Sequence, residues 1–231
     1  MFNKIKIKLL DELILGFAPF ILKLLNIKLE IIFDKKKINN FVISNHVSEF
    51  DIFILYYILI KNNIKLRWVG DERLKNFPIL GKWAQDKKGI FINRNKNGCS
   101  QLKKQIKKND KIIIFPEGTL FYKHMIKKSN KICIENNIPK YKNVLCPKIN
   151  GFNTISKIIE PKILTDITLI YHYKNKNYLS KSLKPLTIKN LLLNPPYKIT
   201  IHIKNIKTKN KTKNFVNKIF YKKDKLIQKI L

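Results

Sequence analysis

The chain reads as an α/β protein. It is predicted to be a single domain with a central mixed, largely parallel sheet flanked by helices, plus an N-terminal membrane-associating helical segment. Three observations predict this. From residue 41 onward, short apolar runs alternate with longer amphipathic ones, the β-α-β rhythm of a sheet covered by helices. The 231 residues, 45% of them hydrophobic, suffice for one core of ordinary size. The first 33 residues follow neither pattern and are set apart as their own segment, leaving residues 34–231 as the main domain.

The elements follow in order. Residues 13–22 (LILGFAPFIL) are wholly apolar but short for a membrane span, which wants about 20 residues. Pro19 is expected to kink or break a helix there. Lys4, Lys6, Lys8, Lys23 and Lys28 surround the run, which suits an interfacial or dipping element on anionic lipid, with a core helix and a true span as alternatives. Residues 41–44 read as a strand and 48–60 as a helix with Ser48 as N-cap and Asp51 three residues on. A strand is expected at 65–69, a turn and short helix at 77–85, a strand at 90–92 and a helix at 101–108. A further strand at 112–115 runs into a Pro-Glu-Gly turn. A helix is expected at 127–136 and a strand at 144–145, before Pro147. Two later β-like runs cover 167–173 and 198–203, separated by a polar, proline-bearing surface excursion at 174–196. The tail, 214–231, reads as an amphipathic helix with Phe215, Ile219, Leu226 and Ile230 on its apolar side.

Net charge is +33, so partners with negative charge are expected: anionic membrane, phosphorylated substrate or nucleic acid. Lys, Ile and Asn are abundant together, which is also what an A/T-rich coding sequence produces. Only three of the 48 basic residues are Arg: Arg67, Arg73 and Arg94. Arg is preferred where a planar grip on phosphate or carboxylate is needed. Lysines are spread along the whole chain, with no zinc-finger spacing, aromatic RNA-binding signature or Arg cluster. A nucleic-acid-binding protein is thus a distant alternative, and no nucleic-acid partner is expected. Cys99, Cys133 and Cys146 are odd in number and widely spaced, so neither a disulfide framework nor a zinc site is indicated. A reducing, cytosol-facing setting is expected, and no cleavable signal peptide.

Two segments carry chemistry. Residues 45–51 read Asn-His-Val-Ser-Glu-Phe-Asp, a histidine five residues before an aspartate, just after an apolar run. Histidine suits a general base because its unperturbed pKa lies near neutrality, and a carboxylate on its other ring nitrogen fixes the tautomer. His46 would sit in a turn and Asp51 in the first turn of a helix, a geometry that can fold the two together. Read alone, the spacing equally describes a turn histidine and a helix-start charge suited to the macrodipole. His124, His172 and His202 have no Asp or Glu five residues later. Residues 115–119 read Phe-Pro-Glu-Gly-Thr. An apolar strand there delivers a turn at a sheet edge, where α/β proteins bind ligands. Glu117 and Thr119 offer polar groups and Gly118 permits close backbone approach. Between these segments, Arg94 follows the strand at 90–92, placed to hold a phosphate. Lys75 is a weaker basic candidate.

Asn-His-x4-Asp followed about 65 residues later by Phe-Pro-Glu-Gly-Thr resembles the glycerolipid acyltransferase family, which includes the 1-acylglycerol-3-phosphate O-acyltransferases. The strand with Arg94 and the run Val144-Leu145-Cys146-Pro147 look like two further blocks of that family, in the same order. Residues 130–152 look like the branch containing the lysocardiolipin and related lysophospholipid acyltransferases, and the likeness covers roughly residues 30–231. The resemblance implies an enzyme that moves a fatty acyl group from acyl-CoA to the free hydroxyl of lysophosphatidic acid, giving phosphatidic acid. Another lysophospholipid, such as lysocardiolipin or lysophosphatidylinositol, is the alternative acceptor. It implies His46 and Asp51 as catalytic residues, and Arg94, Glu117, Gly118, Thr119 and Pro147 as acceptor-binding ones. It implies no cofactor and no metal, acyl-CoA being a substrate. Members of that branch usually carry clear membrane-spanning segments, whereas this sequence has only the ambiguous residues 1–33. Membrane-associated, cytosol-facing attachment is the expectation.

Overall fold

The computed structural model describes residues 2–34, 37–175, 178–181, 185–208 and 214–231. Seven strands are described: β1 (Lys28–Phe33), β2 (Phe41–Ser44), β3 (Arg67–Asp71), β4 (Ile90–Ile92), β5 (Ile112–Ile114), β6 (Ile163–His172) and β7 (Lys198–Lys207). The helices are α1 (Phe2–Leu24), α2 (Asp51–Lys61), α3 (Leu80–Asp86), α4 (Gly98–Gln105), α5 (Lys123–Glu135), α6 (Ile149–Ile159), α7 (Tyr178–Lys181), α8 (Ile188–Leu193) and α9 (Phe215–Ile230), with a 3₁₀ turn at Glu72–Asn76. The strands form one sheet in the order β1-β7-β6-β2-β5-β3-β4. Every neighbouring pair is parallel except β6 and β7.

Composition explains the layers. β2 (FVIS) and β5 (III) are buried at every position, the continuous apolar run of a parallel strand covered on both faces. One core cluster joins Ile54, Leu55 and Leu59 of α2 to Ile14, Ala18 and Ile21 of α1 and to Ile113 and Ile167 of the sheet. The other joins Phe41, Ile112 and Ile114 to Phe152 and Ile155 of α6 and to Phe220 of α9. The sheet therefore has helices on both faces, and its parallel part, β6-β2-β5-β3-β4, presents all its carboxyl ends at one edge. The site is built there.

Several expectations are corrected. Pro19 does not break α1, which continues to Leu24. The proline forfeits one backbone bond, but the burial of Ile14, Ala18, Ile21 and Leu22 and the contact of Phe17 with Phe53 (ring centroids 4.6 Å apart) anchor the turns on either side. No helix among the described residues is long and apolar enough to cross a membrane. The side chains of Lys4, Lys6 and Lys8 lie outside the described residues. Residues 28–33, assigned by sequence to the N-terminal segment, form β1 and pair with β7 along their whole length. Residues 144–145 are buried but form no strand. The Leu145 N–H goes to Glu117 and the Cys146 N–H to the Ser129 hydroxyl, so no ladder partner is needed. Within 174–196, residues 176–177 and 182–184 lie outside the described residues, and the rest is not all surface: Leu186 and Leu191 are buried. In α9 the buried residues are Val216, Asn217, Ile219, Phe220, Lys223, Asp224 and Ile227. The face they make is rotated from the apolar stripe because two charged residues are anchored inside. The Lys223 ammonium lies 2.7 Å from Asp166 and also donates to the Ile167 carbonyl, while Asp224 accepts the N–H groups of Lys142 and Asn143.

Candidate active site

The chain leaves β2 after Ser44, which still pairs with Ile167. Asn45 then replaces the ladder with its side chain. Its amide donates to the Leu169 carbonyl (2.9 Å) and accepts the Leu169 N–H (2.8 Å). The main chain is thereby released to turn while still tied to β6. His46 follows. Its N–H donates to Glu117 Oε2 at 2.6 Å and its carbonyl accepts the Phe121 N–H at 2.8 Å. The ring stacks on Phe115, with centroids 4.0 Å apart and planes 14° off parallel.

Asp51 opens α2 and points back into this turn. Its Oδ2 accepts the Val47 N–H (2.7 Å) and the Ser48 N–H (2.9 Å), and lies 2.9 Å from His46 Nδ1. A buried carboxylate so engaged only accepts, so Nδ1 carries the proton and Nε2 the free lone pair. The Asp51 side chain is fully buried, while that of His46 is 16% exposed. Among the described residues Nε2 has no hydrogen-bond partner. The helix starts at Asp51 rather than after Ser48. The Ser48 hydroxyl instead donates to the Leu186 carbonyl and accepts the Phe50 N–H.

The Phe115–Thr119 turn follows β5. Glu117 is 3% exposed. One oxygen takes the His46 N–H, and the other takes the Leu145 N–H at 2.7 Å. Burial pushes its pKa up to about 8, against the pull of those two N–H groups and of the Lys223 ammonium. Glu117 thereby clamps the histidine loop to the 144–148 loop. Pro147, also expected at the acceptor, is likewise buried. Its neighbour Lys148 donates its N–H to the Pro116 carbonyl at 2.7 Å. Thr119 is half-buried just beyond Gly118.

Arg94, after β4, reaches the same turn. Its Nη2 donates to the Gly118 carbonyl at 2.8 Å and its Nε lies 2.6 Å from Asp71. Asp71 also binds the Arg73 guanidinium, and that bond foremost, with the Arg94 charge adding, holds its pKa down to about 2. Arg67 is structural, bonded to Asp110 and to the carbonyls of Lys88 and Gln105. Lys75 lies over the Phe91 ring.

Two residues here were not singled out from sequence. The Lys148 side chain lies over Gly118: a Cβ built on that glycine would sit 2.9 Å from both Cε and Nζ. Partial burial and the Arg94 charge push its pKa below the usual lysine range. The proline block pointed to this place but not to its lysine. Tyr171 donates to Asp51 Oδ1 at 2.6 Å, and no local spacing signals a contact spanning 120 residues. A cleft of about 320 Å³ is lined by Val47, Phe121, Leu169, Tyr171, Leu179 and Ile227 among others; it touches the histidine loop at Val47, but neither His46 nor Asp51 lines it.

Fold and site together define an α/β protein with a hydrogen-bonded histidine–carboxylate pair at the carboxyl edge of its parallel strands. Comparison with known proteins narrows this. The family model described as Acyltransferase matches residues 30–148, just over half of the chain. The chain belongs to that acyltransferase family. It is 29% identical over 176 residues to mouse lysocardiolipin acyltransferase 1, covering 70% of this chain and 44% of that protein. It is 26% identical over 259 aligned positions to 2-acyl-1-lysophosphatidylinositol acyltransferase of Saccharomyces cerevisiae, covering 89% of this chain and 64% of that one. The chain thus spans only about half to two thirds of these relatives. The fold matches the crystal structure of the 1-acyl-sn-glycerophosphate (LPA) acyltransferase PlsC from Thermotoga maritima. The TM-score is 0.59 at 16% identity, covering 99% of this chain and 82% of that one.

Proposed function

We propose that the protein transfers a fatty acyl group from acyl-CoA to the free hydroxyl of a lysophospholipid, with lysophosphatidic acid as the acceptor. The observation that carries this reading is the His46 ring, held at 2.9 Å by buried Asp51 with Nε2 open. Nε2 takes the proton of the acceptor hydroxyl as its oxygen attacks the thioester carbonyl. The tetrahedral intermediate collapses with loss of the CoA thiolate, which takes the proton back from the imidazolium. Asp51 stabilises that cation. General-base help of this kind is worth about 10²–10⁴-fold.

Arg94 and Lys148 converge on Gly118 and favour an anionic acceptor. Lysophosphatidic acid, a phosphate monoester, suits two adjacent cations. A lysophospholipid with a phosphodiester, such as lysocardiolipin or lysophosphatidylinositol, is the second reading, favoured by the names of the two relatives. The protein would work on an anionic, cytosol-facing membrane surface: α1 exposes Leu9, Leu13, Phe20 and Leu24 to solvent.

The test is release of free CoA by purified protein given acyl-CoA and a panel of lysophospholipids. Release is expected with lysophosphatidic acid and should fall by at least about 10²-fold in His46→Ala. Undiminished release by a folded His46→Ala variant would refute the dyad. Preference for a diester acceptor would select the second reading.

A further inference from the structure

We propose that Tyr171 is a positioning residue of the His46–Asp51 pair: its hydroxyl fixes the rotation of the Asp51 carboxylate and so decides which oxygen meets the imidazole. The proposal rests on the dyad reading above. Asp51 Oδ2 has three donors, the His46 ring and two backbone N–H groups. Among the described residues Oδ1 has one partner, Tyr171, at 2.6 Å. That is the short range of a hydroxyl bonded to a charged acceptor. A buried carboxylate oxygen without a donor is costly, and the carboxylate could relieve that cost by turning Oδ1 toward the backbone N–H groups. Turning would draw Oδ2 off Nδ1 and release the ring from its tautomer. The phenol removes the reason to turn.

The scaffold supplies the precision. Tyr171 is 2% exposed and pairs with Ile199 on β7. Two residues earlier on β6, Leu169 grips the Asn45 side chain through both its N–H and its carbonyl. Through the main chain of Leu169 and the side chain of Tyr171, β6 holds the 45–51 loop at two points, one on either side of His46. The phenol remains a donor at any working pH, because burial and the Asp51 charge push its pKa well above 10. The other titratable groups around the pair are Glu117 on the turn after β5, Tyr173 on β6 and Lys223 on α9. None of them supplies a donor to Oδ1.

The experiment is Tyr171→Phe in the full chain, which keeps the ring as a wall of the cleft and removes only the hydroxyl. With lysophosphatidic acid and acyl-CoA, kcat should fall about ten- to hundredfold, below the full worth of the base, with KM for both substrates within about twofold. With the carboxylate free to turn and Oδ2 drawn off Nδ1, the imidazolium loses its partner, so the acid limb of kcat/KM should move to lower pH. The low-field proton resonance of His46 Nδ1–H, followed by NMR, should shift or broaden. In an Asp51→Asn background the same change should cost little more, since the carboxylate it serves is gone. A wild-type kcat, acid limb and resonance in Tyr171→Phe would overturn the proposal, as would full additivity with Asp51→Asn, which marks a merely structural tyrosine. If Tyr171→Phe does not fold, 3-fluorotyrosine at 171, a stronger donor, must shift the limb and the resonance the opposite way. If the wild type acylates no lysophospholipid, the resonance in the wild type and Tyr171→Phe still decides the positioning role separately from the substrate reading.

Discussion

At the scale of single residues, Glu117 shows how a motif residue ties the loops of the site together. Its oxygens hold the backbone of His46 and Leu145, so an acceptor is needed at both positions. Glu117→Gln keeps the shape but turns an amide NH₂ against one of the two N–H groups. A loss of about 1–3 kcal/mol is expected, together with a fall in kcat as His46 loosens. The pH dependence has a definite sign. Between the ordinary value of 4.5 and the folded value of about 8, the folded chain keeps a proton that the unfolded chain has released. Its contribution is therefore fully present below the lower value and is lost as pH rises through the higher one. Gln does not titrate, so the gap in melting temperature between wild type and variant should narrow as pH rises across that window. A gap that widens would contradict the assignment. The sequence revealed His46 and Asp51 because their contact is local, five residues apart. It revealed Glu117 as a residue but not its partners, since His46 and Leu145 are distant in the chain. Tyr171 was invisible for the same reason.

At the scale of elements, the Phe115–Thr119 turn works because residue 118 adopts φ +68°, which an L side chain rarely takes. Gly118→Ala adds strain of roughly 1–2 kcal/mol and drives its Cβ toward the Lys148 tip, which must swing away. Melting should fall by a few degrees, about 2–4 °C per kcal/mol at this chain length. If Lys148 binds the acceptor phosphate, KM for lysophosphatidic acid should rise several-fold while KM for acyl-CoA stays put. Equal changes in both would place the effect elsewhere. The elements missed from sequence have physical causes. α6 (INGFNTISKII) is poor in strong helix formers, yet it buries Phe152, Ile155 and Ile159 at helical spacing, so packing overrides propensity. β1 (KLEIIF) is an edge strand that buries no residue fully, so its apolar residues read as a continuation of the N-terminal run. Residues 144–145 looked like a strand because they are apolar and buried, but a side-chain carboxylate and a hydroxyl replaced the ladder.

At the scale of the whole molecule, the alternation of apolar runs predicted an α/β sheet correctly, but not the strand order, which depends on pairings such as β1 with β7 far apart in the chain. The same scale governs the proposed attachment to lipid. One face of α1 lies in the core. The other exposes Leu9 (67%), Leu13 (59%), Phe20 (61%) and Leu24 (61%), spaced as one helical stripe. On this proposal a chain with net charge +33 would be drawn to an anionic surface from a distance, and the stripe would give apolar side chains to bury once it arrived. The two contributions separate by experiment. Salt should weaken binding to phosphatidylglycerol-containing vesicles through the lysines alone. Leu13→Glu with Phe20→Glu removes two side chains worth about 1.5–3 kcal/mol each on burial, so vesicle partitioning should drop by more than tenfold at any salt concentration. Both positions face solvent, so the fold and its melting temperature should survive. CoA release should fall on acceptors embedded in vesicles and persist on short-chain acceptors dissolved as monomers. Cosedimentation of the double variant at wild-type levels would show that α1 is not the surface that meets the lipid.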